Sequence, residues 1–226
     1  MFKDEFIVIK HTVANFDKVI LHELQEANFY IIPSDHEELI IEGLAEIVNR
    51  IETMIEENTL IIKTEGSVIK KLRDSIRTSL DRYTTTYTLY VRQLVGLDIR
   101  GIVRTKCSDL STPALTLKHK GVGSTVFKNL QTENLGVIVT NVGEVYMDGK
   151  ATEQFVTMKG TGTYIAKDLE SRKAQIHLRG IGDVTVLVKD ELDIRINGIG
   201  TVSYYGSPKV RSKGSILSTV HKIEDN

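Results

Sequence analysis

Five glycine-centred signals recur through the second half of the chain: Gly121-Val122-Gly123, Asn141-Val142-Gly143, Gly160-Thr161-Gly162, Gly180-Ile181-Gly182 and Gly198-Ile199-Gly200. The intervals between their first residues are 20, 19, 20 and 18. A near-constant period of this length marks one supersecondary unit stacked on copies of itself. Six and four residues before the last glycine of each signal stand Leu117 and His119, Val137 and Val139, Val156 and Met158, Ile176 and Leu178, Ile194 and Ile196. Two and four residues after it stand Thr125 and Phe127, Val145 and Met147, Tyr164 and Ala166, Val184 and Val186, Val202 and Tyr204. Mostly apolar residues alternating on both sides of a corner predict two short strands per unit, with these columns turned inward. The residues between them, among them Lys118, Glu144, Thr163, Asp183 and Arg195, are expected to face water.

Glycine suits such a corner because the backbone visits positive φ or because stacked turns bring backbones close together. Strands whose like positions stack turn upon turn pair in parallel. The predicted fold is therefore all-β: a right-handed parallel β-helix, a solenoid with rungs of about 20 residues. A β-propeller requires units of about 40 residues or more, and a leucine-rich repeat requires a Leu and Asn frame that this sequence lacks.

No Pro, Gly or Ser-rich linker divides the 226 residues, so a single domain over 1–226 is expected. Residues 1–93 read as an irregular N-terminal β part, 94–206 as regular rungs and 207–226 as a partial rung and tail. Strand-like runs occur at Phe6 to Ile9, Lys18 to Leu21, Phe29 to Ile32, Leu39 to Ile41 and Leu60 to Lys63. Leu44 to Ile55 fits both helical and strand spacing. Val68, Ile69, Leu72, Ile76, Leu80 and Tyr83 share one helical face, which predicts a short inserted surface helix over 67–82, placed to shield the open end of the first rungs.

With 29 basic and 30 acidic residues the net charge is −1, so nothing global draws the chain to nucleic acid or an anionic membrane. The single Cys107 excludes an intrachain disulfide framework, and no 18-residue apolar run predicts a transmembrane segment. Acidic residues at Asp4 and Glu5 are unlike the basic start of a signal peptide, so the chain as written is expected in the cytoplasm; with an export signal trimmed, it is expected at the cell surface or secreted.

Several strings resemble one family. Phe16-Asp17-Lys18-Val19, Leu39-Ile40-Ile41-Glu42-Gly43, Ile51-Glu52-Thr53 and Asn58-Thr59-Leu60-Ile61-Ile62 look like the opening of the head GIN domain of putative auto-transporter adhesins. The later rungs and Asn197-Gly198-Ile199-Gly200-Thr201-Val202-Ser203-Tyr204-Tyr205-Gly206-Ser207-Pro208 look like its end. The resemblance implies a right-handed β-helix in bacterial proteins exported to the envelope, with an adhesive role. It also implies a helical turn near Leu44 to Asn49 followed by a β-hairpin, and it departs from the family in the length of the Ser67 to Arg82 segment.

Catalytic chemistry is sparsely supported. His11, His22, His36, His119, His177 and His221 share no metal-ligand spacing, and inward-facing His119 reads as a hydrogen-bonded core imidazole. Cys107 has no His nearby in sequence and reads as a bland thiol. Gly-x-Gly here is a rung corner, without the strand, turn and helix context of a nucleotide site. Glu144 and Asp183 fall at the same offset two rungs apart, about 10 Å at ~4.8 Å per rung, the loose end for an inverting carboxylate pair. Asp190, Glu191 and Asp193 read as a solvated acidic turn. No catalytic residue, metal or cofactor is expected.

The surface feature above background is a basic stripe of Lys118, Lys120, Lys159, His177, Arg179 and Arg195 on one face, which either keeps a flat sheet soluble or forms a ladder for a polysaccharide or other anionic polymer. The leading expectation is a non-enzymatic binding or adhesion module. The alternatives are a structural protein that self-associates end to end as a homo-oligomer, and a carbohydrate-active enzyme on a β-helix.

Overall fold

The computed structural model describes residues 5–64, 84–214 and 218–224. The strands are β1 (Phe6–His11), β2 (Lys18–Pro33), β3 (Glu38–Leu44), β4 (Ile51–Glu56), β5 (Thr59–Thr64), β6 (Thr85–Val91), β7 (Gly96–Ser108), β8 (Ser111–His119), β9 (Val122–Val139), β10 (Val142–Met158), β11 (Thr161–Leu178), β12 (Ile181–Ile196), β13 (Gly200–Tyr205), β14 (Lys209–Lys213) and β15 (Ser218–Lys222). One four-residue helix, α1, spans Ala45–Val48. Together they form a parallel β-solenoid of about six turns.

The rungs stack as the period demands. β9, β10, β11 and β12 pair in parallel, with Gly123, Gly143, Gly162 and Gly182 in one column. Every residue of the two columns before the corner, from Leu117 and His119 to Ile194 and Ile196, is at most 2% exposed. The columns after the corner are equally buried except Tyr204, which lies near the C-terminal end and packs half-buried against the core. Each buried Leu, Ile, Val or Phe contributes on the order of 1.5–3 kcal/mol, and the stacking supplies this rung after rung.

At the corners, close approach rather than backbone conformation is the general reason for glycine. A Cβ at Gly180 would strike the carbonyl oxygen of Gly160, and one at Gly182 the carbonyl oxygen of Gly162. Positive φ accompanies this at Gly123, Gly182 and Gly200, with φ of 136°, 157° and 147°, but not at Gly143 or Gly162.

The parallel stack begins earlier than the glycine pattern. The runs expected at Lys18 to Leu21 and Phe29 to Ile32 belong to one continuous strand, β2, which lies parallel to β7 from Lys18 beside Gly96 to Ile31 beside Cys107. Between the two halves the register shifts, and Glu23 and Glu26 take positive φ to turn the corner without glycine. A rung also starts at Gly101-Ile102-Val103, where Val103 stands in the second glycine's place. The N-terminal end is finished by strands of opposite direction: β1 runs antiparallel to β3, β3 to β6, and β4 to β5. The helical turn and hairpin implied by the family resemblance are α1 and β4–β5, turning at Glu57 and Asn58 with φ of 46° and 60°. The helix expected over 67–82 lies outside the described residues. At the other end β14 pairs with β12 and β15 with β13.

Replacing Val139 with Asp sets a carboxylate without a partner into a fully buried column, and the expected loss is several kcal/mol, read as a large drop in melting temperature. A variant melting within a degree or two of the parent would contradict the register. Gly182→Val forces a branched side chain against the Gly162 backbone and is expected to cost at least about 1–3 kcal/mol, whereas Thr163→Val, on the outward side, is expected to be near neutral. Equal melting of the two variants would contradict the close-approach account.

Candidate functional site

The sheet entering the glycine corners presents three outward positions per rung. The first column runs Gly96, Thr116, Gly136, Phe155, Gln175, Asp193, Arg211, and the second Asp98, Lys118, Ile138, Thr157, His177, Arg195, Lys213. Lys120, Thr140, Lys159, Arg179 and Asn197 form the third, each held by a backbone N–H donating to the preceding rung. All six residues of the predicted stripe therefore lie on one face. They do not form an unbroken line, because Gly136, Ile138, Thr140, Phe155 and Thr157 separate Lys118 and Lys120 from Lys159, His177, Arg179 and Arg195.

Their partners also differ. Asp98, 12% exposed in its side chain, takes the Arg100 guanidinium at 2.8 and 3.2 Å and Lys120 Nζ at 2.8 Å. Burial raises the Asp98 pKa, but the hydrogen bonds and charges of Arg100 and Lys120 outweigh it and hold the carboxyl below its ordinary value. Arg195 faces Asp193 at 3.5 Å. Among the described residues, the side chains of Lys118, Lys159, His177 and Arg179 make no hydrogen bond or ion pair. Elsewhere on the solenoid Arg172 pairs with Asp190, Lys173 with Glu191 and Lys189 with Glu170, whereas Arg104, Lys106 and Lys128 make no ion pair among the described residues. A depression of about 270 Å³ at the N-terminal end of the face is lined in part by Lys18, Gly96, Asp98, Thr116 and Lys118.

Phe155, 41% exposed beside Gly136 and Gln175, is the aromatic member of this face that alternation alone did not bring forward. Its outward position was readable from Val156 and Met158, its inward neighbours. Asp98 escaped because its rung carries Val103 where the others carry the second glycine, although Asp98 and Lys118 stand one period apart.

The remaining candidates carry little chemistry. Cys107 is buried beside the core, and burial, with Asp109 adding to it, pushes its thiol up to about 12, far from a nucleophile's range. Glu144 and Asp183 share a column with Thr163 between them, and Asp183 Oδ1 accepts the Thr201 N–H at 3.1 Å. Asp190, Glu191 and Asp193 are engaged by cations of their own and neighbouring rungs, so this acidic turn is an ion-pair ladder. Among the described residues no group of three or more His, Cys, Asp or Glu could hold a metal ion, and no helix is long and apolar enough to cross a membrane. His119 is fully buried with Nδ1 3.1 Å from Thr125 Oγ1, as expected of a core imidazole, while Nε2 has no partner.

The chain matches the family model described as "Putative auto-transporter adhesin, head GIN domain" over residues 15–208. A crystal structure described as a putative adhesin from Bacteroides fragilis is 25% identical, with a TM-score of 0.86 and 97% of each chain covered. One described as a putative lipid binding protein from Parabacteroides distasonis is 18% identical, with a TM-score of 0.72 and 98% of each chain covered. A putative adhesin from Parabacteroides merdae is 15% identical, with a TM-score of 0.68, covering 98% of this chain and 97% of that one. The latter two likenesses concern the fold alone. No curated protein matches the chain.

Burial holds the His119 imidazole below its ordinary value of 6.5. The unfolded chain thus takes up this proton before the folded one does, so stability from this site is complete above the unfolded value and falls as pH drops below it. Melting temperature is expected to decline between pH 7 and 5, and His119→Leu is expected to flatten that decline whatever its effect at pH 7. An unchanged slope in the variant would remove His119 as the cause.

Proposed function

Because the chain belongs to the head GIN domain family of putative auto-transporter adhesins, we propose that it is a non-enzymatic adhesion module working at the cell surface through the face that carries Lys118, Lys159, His177 and Arg179. The observation that carries this reading is the alignment of these four basic side chains in neighbouring outward columns of one stacked sheet. These four side chains have no anionic partner among the described residues, which leaves their charge open to a ligand; elsewhere Arg172, Lys173 and Lys189 are engaged by carboxylates of adjacent rungs, whereas Arg104, Lys106 and Lys128 are not.

The face is flat and repeats at the strand spacing, which suits a ligand that also repeats. Its two basic clusters flank an apolar middle at Ile138 and Phe155, so the ligand class favoured is an anionic polymer with uncharged surface of its own, an acidic polysaccharide. The family description also supports a surface location over the cytoplasmic one expected from the N-terminal residues. End-to-end assembly is less favoured, because Lys209, Arg211 and Lys213 on β14 and Lys222 on β15 put like charges on the C-terminal edge strands, a common device against edge pairing. The carboxylates Glu144 and Asp183 give the enzyme alternative little support.

Heparin and polygalacturonate serve as probes. The parent protein is expected to bind at least one, more weakly as salt rises toward roughly 0.5 M, where screening shortens to a few ångströms. Lys118→Glu/Lys159→Glu/Arg179→Glu is expected to abolish binding while melting within a few degrees of the parent, since exposed charges contribute little to stability. Failure of the parent to bind either polyanion, or undiminished binding by the triple variant, would sink the assignment of this face.

A further inference from the structure

The middle residues of the corners stack in register as Val122, Val142, Thr161, Ile181 and Ile199, and they point away from the core. Val122, Val142, Ile181 and Ile199 are 45%, 56%, 54% and 47% exposed, so four of the ten exposed large hydrophobic residues among the described residues fall in one line. Thr161, at the middle of the line, shows that a corner accepts a polar residue, yet the other four are Val or Ile. The positions on either side of Ile181 are glycine because of close stacking on the preceding rung, so no side chain from them can fold across it. The ridge is an exposed strip of two apolar pairs, Val122 and Val142, Ile181 and Ile199, with the Thr161 hydroxyl between them. Along one flank the bare backbone of Gly123, Gly143 and Gly162 floors a groove of about 330 Å³, whose far wall is Arg104, Ser124, Glu144 and Thr163. Asp183 continues that wall by register with Thr163.

The dimensions and chemistry of the groove narrow what fits it. From Val122 to Ile199 is four strand spacings, roughly 19 Å at ~4.8 Å each, and the ridge is one side chain wide, far below the ~800 Å² per partner of a stable protein pair. Strand addition by a peptide finds no free donors at three of the corners, because Thr161, Ile181 and Ile199 donate their backbone N–H groups to Asn141, Gly160 and Gly180 at 2.8, 3.0 and 3.0 Å. An acyl chain would lie against Glu144 and desolvate a carboxylate without a partner. A sugar chain presents what two unlike walls require, with C–H faces for an apolar ridge and hydroxyls for a wall of hydroxyl and carboxylate groups. Glu144 and Asp183 against Arg104 disfavour a polyanion.

We propose that this groove binds an uncharged linear glycan, laid along the solenoid axis with its C–H faces on Val142 and Ile181 and its hydroxyls bonded to Ser124, Glu144 and Thr163. The groove is distinct from the cationic face, and neither assignment depends on the other.

Titration calorimetry with cellohexaose, xylohexaose and chitohexaose provides the test. The parent is expected to bind at least one, with affinity unchanged at roughly 0.5 M salt, where charge-driven binding is screened. The Lys118→Glu/Lys159→Glu/Arg179→Glu variant should bind it as the parent does, which separates this site from the cationic face. Val142→Ser/Ile181→Ser, at exposed positions, should melt near the parent and bind at least about tenfold more weakly, and Thr163→Val on the opposite wall should also weaken binding. No binding of any hexaose by the parent would overturn the proposal, as would undiminished binding by both groove variants. Self-association, or binding to phosphatidylcholine vesicles, that the Val142→Ser/Ile181→Ser variant loses would overturn it in favour of a second copy or a lipid.

Discussion

The structure depends on backbone packed directly against backbone at the corners. Gly182 lies so close to Gly162, and Gly180 to Gly160, that a methyl group has no room. The same closeness sets successive strands in parallel register on either side of the corner, from Val142 beside Thr161 and, after one register shift between Tyr146 and Asp148, on to Met158 beside Leu178. Register in turn sorts each rung into inward and outward residues, since a slip of one position would exchange them. The buried columns, the cationic face and the corner ridge are three results of one constraint.

The interior is not wholly apolar. Tyr164, Gln154 and Ser171 are buried and linked, Tyr164 Oη donating to Gln154 Oε1 at 3.1 Å, Gln154 Nε2 to Ser171 Oγ at 2.8 Å, and Ser171 Oγ to the Leu187 carbonyl at 2.8 Å. This relay ties three consecutive rungs together through their cores. Burial pushes the Tyr164 hydroxyl far above its ordinary value, so it remains a donor. Two rungs before Tyr164, His119 and Thr125 pair, but His119 Nε2 and Thr105 Oγ1 are left without partners. The completed relay adds specificity to the stack, while the incomplete pair makes its neighbourhood sensitive to acid.

Where the glycine period runs, alternation placed Val137, Val139, Ile176, Leu178 and their equivalents correctly, and the outward identity of Lys118, Lys159 and Arg179 followed from the same count. Legibility faded where other chemistry does the glycine's work. Glu23 and Glu26 turn a corner of β2 by positive φ, so a continuous strand read as two. Gln154 and Ser171 sit inside although both are polar, and only their mutual bond explains it. The break in the basic stripe was present in Ile138 and Thr157. Its energetic division was not, because the capture of Lys120 by Asp98 requires knowing that β7 lies beside β8.

The direction of the inter-rung hydrogen bonds has a mechanical consequence. Bonds such as Thr140 N to His119 O and Asn197 N to Leu178 O join one rung to the next. Tension along the axis therefore loads the rungs in series and peels them one at a time, each opening only its own set of bonds. Tension across the axis loads every bond of a rung in shear and must break them together. A protein held at one end and pulled by something bound along its flank is thus stiff in one direction and yielding in the other, and the angle of attachment decides which resistance it offers.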